Sequence, residues 1–206
     1  EIYWRNYMSG VSQATLLPFI SSNAERTKGA GAYRSLYLRL DEAITIKIKN
    51  YAQNNRVTVN TVMQGVWSFL LHRYTGNSDI AYGVIVSGRP DDLPGVEQRV
   101  GMYINTIPLH SIKKEDQDIG DWLQKIQEDQ VASRQYQFTP LQNIQALTSI
   151  KGDLFDTILA FENYPVSKVI SSKKWSLNVQ DVHVKDQSNY PLTITIGSSD
   201  TINIGF

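Results

Sequence analysis

Apolar positions in this chain of 206 residues follow two periods, three-to-four through the middle and two toward the end, so helices mix with strands before strands take over. The clearest helical pattern is Thr58 to Tyr74. Val59, Val62, Met63, Val66, Trp67, Leu70 and Tyr74 form one stripe, Thr58 can cap it, and Gly76 follows. A second helix is predicted from Asp118 to about Tyr136, with Ile119, Trp122, Leu123 and Ile126 inward and the Asp118 carboxylate at the positive end of the dipole. Thr139-Pro140-Leu141-Gln142 reads as a capping box with proline at the first helical position, which starts a further short helix. Glu1 to Met8 reads as the end of an amphipathic helix. Ser9 to Ala32 is small and polar apart from Leu16 to Ile20, and reads as a loop or linker.

The period of two begins at Tyr33 to Leu40, where Leu36, Leu38 and Leu40 oppose Ser35, Tyr37 and Arg39, the pattern of a half-buried strand. Ile80 to Val86 is apolar on both faces, as in a central strand covered by helices. Val100 to Leu109 reads as a further strand that opens with Gly101 and carries one amide, Asn105, among apolar neighbours. Gly101, Tyr103, Asn105 and Ile107 would share one face, and Met102, Ile104 and Thr106 the other. Leu154 to Phe161, Trp175 to Val184, Leu192 to Ile196 and Ile202 to Phe206 are rich in β-branched and aromatic residues, with Ser171 to Lys174 a polar tip between two of them. Asp41 to Asn54 fits both periods: Ile44, Ile46 and Ile48 alternate, while Ile44, Ile48 and Tyr51 keep helical spacing behind Asp41. The pattern predicts an α/β fold with helices packed on a mixed sheet.

Composition narrows the function. The 20 basic and 20 acidic residues cancel, so no charge field favours nucleic acid or an anionic membrane. With 0 cysteines there is neither a disulfide framework nor a thiol nucleophile. No apolar run approaches the roughly 20 residues that span a bilayer, and the N-terminus lacks the order of a signal peptide, so a cytoplasmic setting fits. The last residues, Ile202 to Phe206, stop inside a strand pattern, which reads as a piece of a longer polypeptide.

Candidate chemistry gathers where the Ile80 to Val86 strand enters a loop of glycine and proline, Ser87-Gly88-Arg89-Pro90-Asp91-Asp92-Leu93-Pro94-Gly95, and returns through Asn105. A buried amide must find partners, because leaving it unsatisfied costs about 1–3 kcal/mol. Asn105 could therefore pin the crossing loop or contact a ligand. Arg89 could anchor the loop through backbone carbonyls or an acid. The 3 histidines, His72, His110 and His183, stand in no metal-binding spacing. Gly-x-Ser-x-Gly is absent, and Gly29-Ala30-Gly31-Ala32 lacks the Lys-Ser/Thr of a phosphate loop.

The run from Val86 to Leu109 resembles the segment of nonribosomal peptide synthetase condensation domains in which an "SGRP…LPG(V/I)E" loop precedes a "(V/I)GxF(V/I)NT" strand, with Tyr103 where that family more often has Phe. Tyr136-Gln137-Phe138-Thr139-Pro140-Leu141, Leu154-Phe155-Asp156-Thr157 with Phe161-Glu162-Asn163-Tyr164-Pro165, and Asp186-Gln187-Ser188-Asn189-Tyr190-Pro191-Leu192 resemble further elements, in the same order. The resemblance implies a helix at 41–54 and the fold of chloramphenicol acetyltransferase, here its C-terminal half. Residues 1–32 would be the end of a preceding helix plus a linker, and 33–206 the C-terminal subdomain.

The activity implied for the parent is amide formation between donor and acceptor thioesters. Phosphopantetheine would be carried by partner carrier proteins and not bound directly. The implied partners are the N-terminal lobe, donor and acceptor peptidyl carrier proteins and an adjacent adenylation domain. The family's HHxxxDG element is absent, so no catalytic residue is assigned and the isolated chain is expected to be inactive. Ser87, Gly88, Arg89, Gly101, Tyr103, Asn105, Ser188 and Asn189 are expected at the tunnel or lobe junction, and apolar surface near Tyr103, Ile104 and Tyr190 is expected to meet the other lobe. The alternative is a non-catalytic relative that docks a carrier or another protein. An epimerisation domain would carry different elements at Val86 to Pro90 and Phe161 to Pro165.

Overall fold

The computed structural model describes residues 1–20, 32–89, 93–162 and 188–206. In chain order these form α1 (Ile2–Met8), β1 (Tyr37–Arg39), α2 (Glu42–Asn54), α3 (Val59–Thr75), β2 (Asp79–Val86), β3 (Asn105–Ile112), α4 (Ile119–Ser133), α5 (Leu141–Gln145), β4 (Thr157–Glu162), β5 (Leu192–Ser198) and β6 (Ile202–Gly205). The strands build one sheet in the order β1-β6-β5-β4-β2-β3. It is mixed: β4 runs parallel to both β2 and β5, and the remaining pairs are antiparallel. The expected strand Trp175 to Val184 with its tip Ser171 to Lys174, as well as Pro90 to Asp92, Asn163 to Pro165, Asp186, Gln187 and His183, lie outside the described residues.

Helix ends follow from local chemistry. Asp41 accepts a hydrogen bond from Ile44 N at 2.7 Å, so the ambiguous stretch is helix. Thr58 Oγ1 accepts from Thr61 N at 3.1 Å, and Gly76 closes α3 in the left-handed region at φ 73°. Asp118 Oδ1 accepts from Gly120 N at 2.7 Å and Asp121 N at 3.2 Å. The expected capping box does not form. Pro140 occupies the cap position of α5 without a side-chain bond, one residue later than predicted.

One face of the sheet carries α2, α3 and α4. Tyr82 Oη donates to the Gln64 carbonyl at 2.8 Å, Trp67 Nε1 to Thr157 Oγ1 at 3.2 Å, Trp122 Nε1 to Ser111 Oγ at 3.0 Å, and Ile202 N to Thr45 Oγ1 at 3.1 Å. The other face receives the N-terminal segment and α5. Trp4, Met8 and Leu17 are fully buried, as are Phe155 and Ile144. Thr15 bridges to Phe155, and its hydroxyl accepts from Ala81 N at 2.8 Å.

Two side-chain features set the spacing of α3 and α4. At Gly65 an added Cβ would stand 2.2 Å from Leu123 Cδ2, so the two helices lie in close contact there. Along α4, glutamines three residues apart tie it to the α2–α3 side. Gln124 Nε2 donates to the Asn55 carbonyl and Gln127 Nε2 to the Arg56 carbonyl, each at 3.0 Å. Gln127 Oε1 accepts from Thr58 N at 2.7 Å, and Gln130 Nε2 donates to Gln64 Oε1.

Three sequence expectations change. The inward face of α3 keeps Val62, Met63 and Trp67 as expected but is rotated about them: Thr61, Gln64, Gly65, Ser68 and Leu71 are also buried, while Val66 is 46% and Tyr74 57% exposed. Buried polar groups with hydrogen-bond partners take the places where apolar residues were expected. On α4, Ile119 is likewise exposed, while Trp122, Leu123 and Ile126 are buried. The strand expected at Tyr33 to Leu40 is a short edge strand, exposed throughout, with Tyr37 at 83%.

Candidate functional site

Beyond β2 the chain makes a loop closed by its own arginine. Gly88 has φ 62°, a left-handed conformation that disfavours side chains, and an added Cβ would lie 1.6 Å from the Tyr103 carbonyl oxygen. Arg89 Nη1 donates to the carbonyls of Val96 and, at 3.2 Å, of Arg99, while its Cζ lies 4.5 Å from the centre of the Tyr103 ring. The arginine is therefore the anchor expected from the sequence, and among the described residues it takes backbone carbonyls.

The return strand starts later than predicted. Val100 to Ile104 is irregular, with Val100, Met102 and Ile104 exposed, and β3 begins at Asn105. Gly101 and Tyr103 therefore do not share a strand face with Asn105. The physical reason is the loop itself, whose close approach of Gly88 to Tyr103 and stacking of Arg89 on Tyr103 hold this stretch out of the β2 ladder.

Asn105 uses its whole side chain inside the protein. Nδ2 donates to the carbonyls of Gln137 at 2.8 Å and Thr139 at 2.9 Å, and Oδ1 accepts from Thr106 N at 2.9 Å. Among the described residues it pins the turn between α4 and α5.

A cleft of about 930 Å³ opens at the carboxyl end of β2, between the start of α3 and the end of α4. Its floor is Val84 and Ile107, its inner wall Asn60, Gln64 and Gln130, and its rim Arg89, Arg134 and Phe138. Ser87 and Arg89 line it, and Gly88, Gly101 and Tyr103 stand behind them in the loop. Ser188 and Asn189 are not in the lining. They lie before β5, where the Ser188 hydroxyl pairs with Thr193 Oγ1 and accepts from Tyr190 N at 3.2 Å. Sequence reasoning missed Asn60, Gln64 and Gln130. Their signal was amides at helical spacing on the inward faces of two helices.

Among the described lining residues the ionisable side chains are Arg89 and Arg134, and neither accepts a proton near neutral pH. The described lining can hold and orient a neutral polar group. A second polar cluster lies elsewhere: His110 Nε2 meets Asp79 Oδ1 at 2.7 Å, while Asp79 Oδ2 accepts from Ser12 N and Ser12 Oγ, each at 2.9 Å. The carboxylate stands between serine and histidine, so the imidazole cannot activate that hydroxyl. The cluster fastens the N-terminal segment to the sheet. Among the described residues no group of three or more His, Asp or Glu could hold a metal ion, and no helix is long and apolar enough to cross a membrane.

Comparison with known proteins agrees with this architecture. A linear gramicidin synthase of Brevibacillus parabrevis is 40% identical over 206 residues, covering 99% of this chain and 4% of that protein. Bacitracin synthase 3 of Bacillus licheniformis is 35% identical over 207 residues, 97% of this chain and 3% of that protein. The chain thus spans a small fraction of the synthases it matches. The crystal structure of the X-domain from teicoplanin biosynthesis superposes with a TM-score of 0.77 at 18% identity, covering 100% of this chain and 48% of that one. The family model described as "Condensation domain" matches residues 1–206, and with it the loop, strand and sheet order above make this chain a member of the condensation-domain family.

Proposed function

We propose that this chain is the C-terminal lobe of a nonribosomal peptide synthetase condensation domain and forms one wall of the tunnel in which two carrier-bound substrates meet. In the reaction, the amine of an aminoacyl group on the acceptor phosphopantetheine arm attacks the donor thioester carbonyl. A C–N bond forms, the C–S bond breaks, and the proton leaving the amine ends on the departing thiol. The proton handling belongs to an HHxxxDG element on the other lobe, which this sequence lacks. Positioning belongs to this wall, and holding two reactants in line can lower a barrier by about 7–11 kcal/mol.

The observation that carries the reading is the cleft mouth. Phe138 on its rim and Val100, Met102 and Ile104 on the returning loop are large apolar side chains left in water, which marks a surface that another body covers. Coverage of about half of the X-domain chain supports the same division. Carrier proteins, an adenylation domain and a cytoplasmic setting follow from the reading.

The test is reconstitution. This chain, incubated with donor and acceptor carriers bearing their substrates, should form no amide, and adding the half that carries HHxxxDG should restore the product. Amide above a no-protein control from this chain alone would refute the assignment. Carrier binding without product in the reconstituted pair would favour the docking alternative.

A further inference from the structure

The sheet ends at β1 in an open strand edge. Main-chain bonds join Leu36 and Phe206 in both directions, and Leu40 N donates to the Ile202 carbonyl, so Leu36, Leu38 and Leu40 turn their N–H and C=O groups toward β6. Direction alternates along an antiparallel ladder, which aims the N–H and C=O groups of Tyr37 and Arg39 outward. Among the described residues nothing pairs with them. Edges are ordinarily blunted by proline, bulges, charge or covering structure. Ser35 to Leu40 has no proline and an unbroken register, its one charge is Arg39, and Leu36 is 72% and Tyr37 83% exposed. Above this edge α2 packs against α3, bonds to β6 through Thr45, and leaves Ile44 and Tyr51, two turns apart on one face, in water.

We propose that this edge joins two copies of the chain into a dimer, with β1 antiparallel to β1 of the second copy about a two-fold axis at Leu38. In that register every outward group is paired: Tyr37 exchanges both main-chain bonds with Arg39 of the second copy, and Arg39 does the same with its Tyr37. The side chains agree. On one face the Tyr37 ring, which lies against Gly205, meets the opposite Arg39 guanidinium. On the other face Leu38 meets its own copy and Leu36 meets Leu40. Charge order makes a second copy the fitting occupant. The exposed Arg34 precedes the strand and the exposed Asp41 and Glu42 follow it, so antiparallel pairing sets the basic end of each copy beside the acidic end of the other. The axis stands perpendicular to the sheet, so both α2 helices lie on one side of it and Ile44 and Tyr51 gain cover. A short strand pair with its flanking helices is a small contact, in the transient class. This inference is independent of the tunnel-wall reading, because β1 and the β2–β3 pair lie at opposite edges of the sheet.

Sedimentation equilibrium of this chain over a dilution series reaching about 1 mM tests the proposal, with a synthetic peptide of residues 33–41 as competitor. The expected result is a reversible monomer–dimer equilibrium with no larger species, because an isologous contact closes on itself, and dissociation of the dimer as the peptide takes the edge. Arg39→Pro removes an outward N–H that the folded monomer does not use, so the dilute monomer should keep its melting temperature. The dimer should weaken by at least about tenfold, since the bond is lost twice about the axis. Arg34→Glu should also weaken it, and Arg34→Glu combined with Glu42→Arg should restore it. Monomer throughout the series, open-ended polymers, or a dimer that survives both Arg39→Pro and the peptide overturns the proposal. Where Arg39→Pro unfolds, unchanged association in Arg34→Glu overturns it instead. A dimer lost in Met102→Lys but kept in Arg39→Pro belongs to the exposed loop at the cleft mouth and refutes the β1 contact. Peptide binding to a chain that stays monomeric shows an edge open to a strand of another protein, and refutes the second copy as its occupant.

Discussion

Replacing Asn105 by alanine measures what the turn between α4 and α5 owes to a single side chain. Two Nδ2–H donations to the Gln137 and Thr139 carbonyls and one bond from Thr106 N disappear together. A net value near 1 kcal/mol per bond, partly recovered by water at this half-buried site, gives a loss of about 2 kcal/mol. For a domain of this size, about 2–4 °C per kcal/mol converts this to a fall in Tm of about 4–8 °C. Thermal unfolding followed by circular dichroism reads it directly. Asn105→Asp sharpens the test, because aspartate keeps the acceptor for Thr106 N but turns a negative oxygen toward two carbonyls. It should lose at least as much as alanine at neutral pH and recover in acid, where the carboxyl can donate. A Tm within about 1 °C of the parent for both variants would refute the pinning role, and a reconstituted enzyme that lost turnover without losing Tm would place Asn105 on the substrate.

Gly88→Ala should destabilise the chain and separate Arg89 from Tyr103, because the new Cβ would meet the Tyr103 carbonyl at 1.6 Å; an unchanged melt and near-UV spectrum would contradict this. Burial raises the pKa values of Tyr7 and Tyr82 above the ordinary 10.0, and burial followed by Asp129 and Tyr136 raises Tyr3 to about 12. Unfolded tyrosines would ionise first, so stability is full below pH 10.0 and falls as pH rises toward the folded values; urea midpoints should show a shallower alkaline fall in Tyr82→Phe. Asp79→Asn breaks the charge on which His110 and Ser12 converge, so hydrogen exchange at Ser12 N–H should accelerate while that of β5 does not.

Elements whose inward positions are apolar were readable from the sequence. β2, the Trp122-Leu123-Ile126 face of α4 and the helix caps at Thr58 and Asp118 follow from residue type and period, whereas the helix behind Asp41 came from the family resemblance. The face of α3 was legible only at Val62, Met63 and Trp67, because Gln64 and Ser68 enter the core through partners on Tyr82 and Gln130, distant in sequence. The start of β3 was misread for a related reason: Val100 to Ile104 alternates like a strand, yet a contact between Gly88 and Tyr103 decides its path. The loop anchor Arg89 was legible as chemistry, backbone carbonyls among its expected acceptors, but which carbonyls it meets was not. The partners of Asn105 lie 32 and 34 residues away, beyond any local pattern.

The glutamines along α4 make the width of the cleft a salt-independent quantity. Charged pairs lose strength as ionic strength rises and the Debye length shrinks to about 3 Å at 1 M, whereas bonds from Gln124, Gln127 and Gln130 carry no net charge to screen. Titration does not loosen them either, since an amide has no proton to exchange across the physiological range. Raising salt should therefore weaken the approach of a charged partner to this chain without altering the spacing of α3 and α4, and a salt series can separate the docking of a carrier from what its arm finds inside.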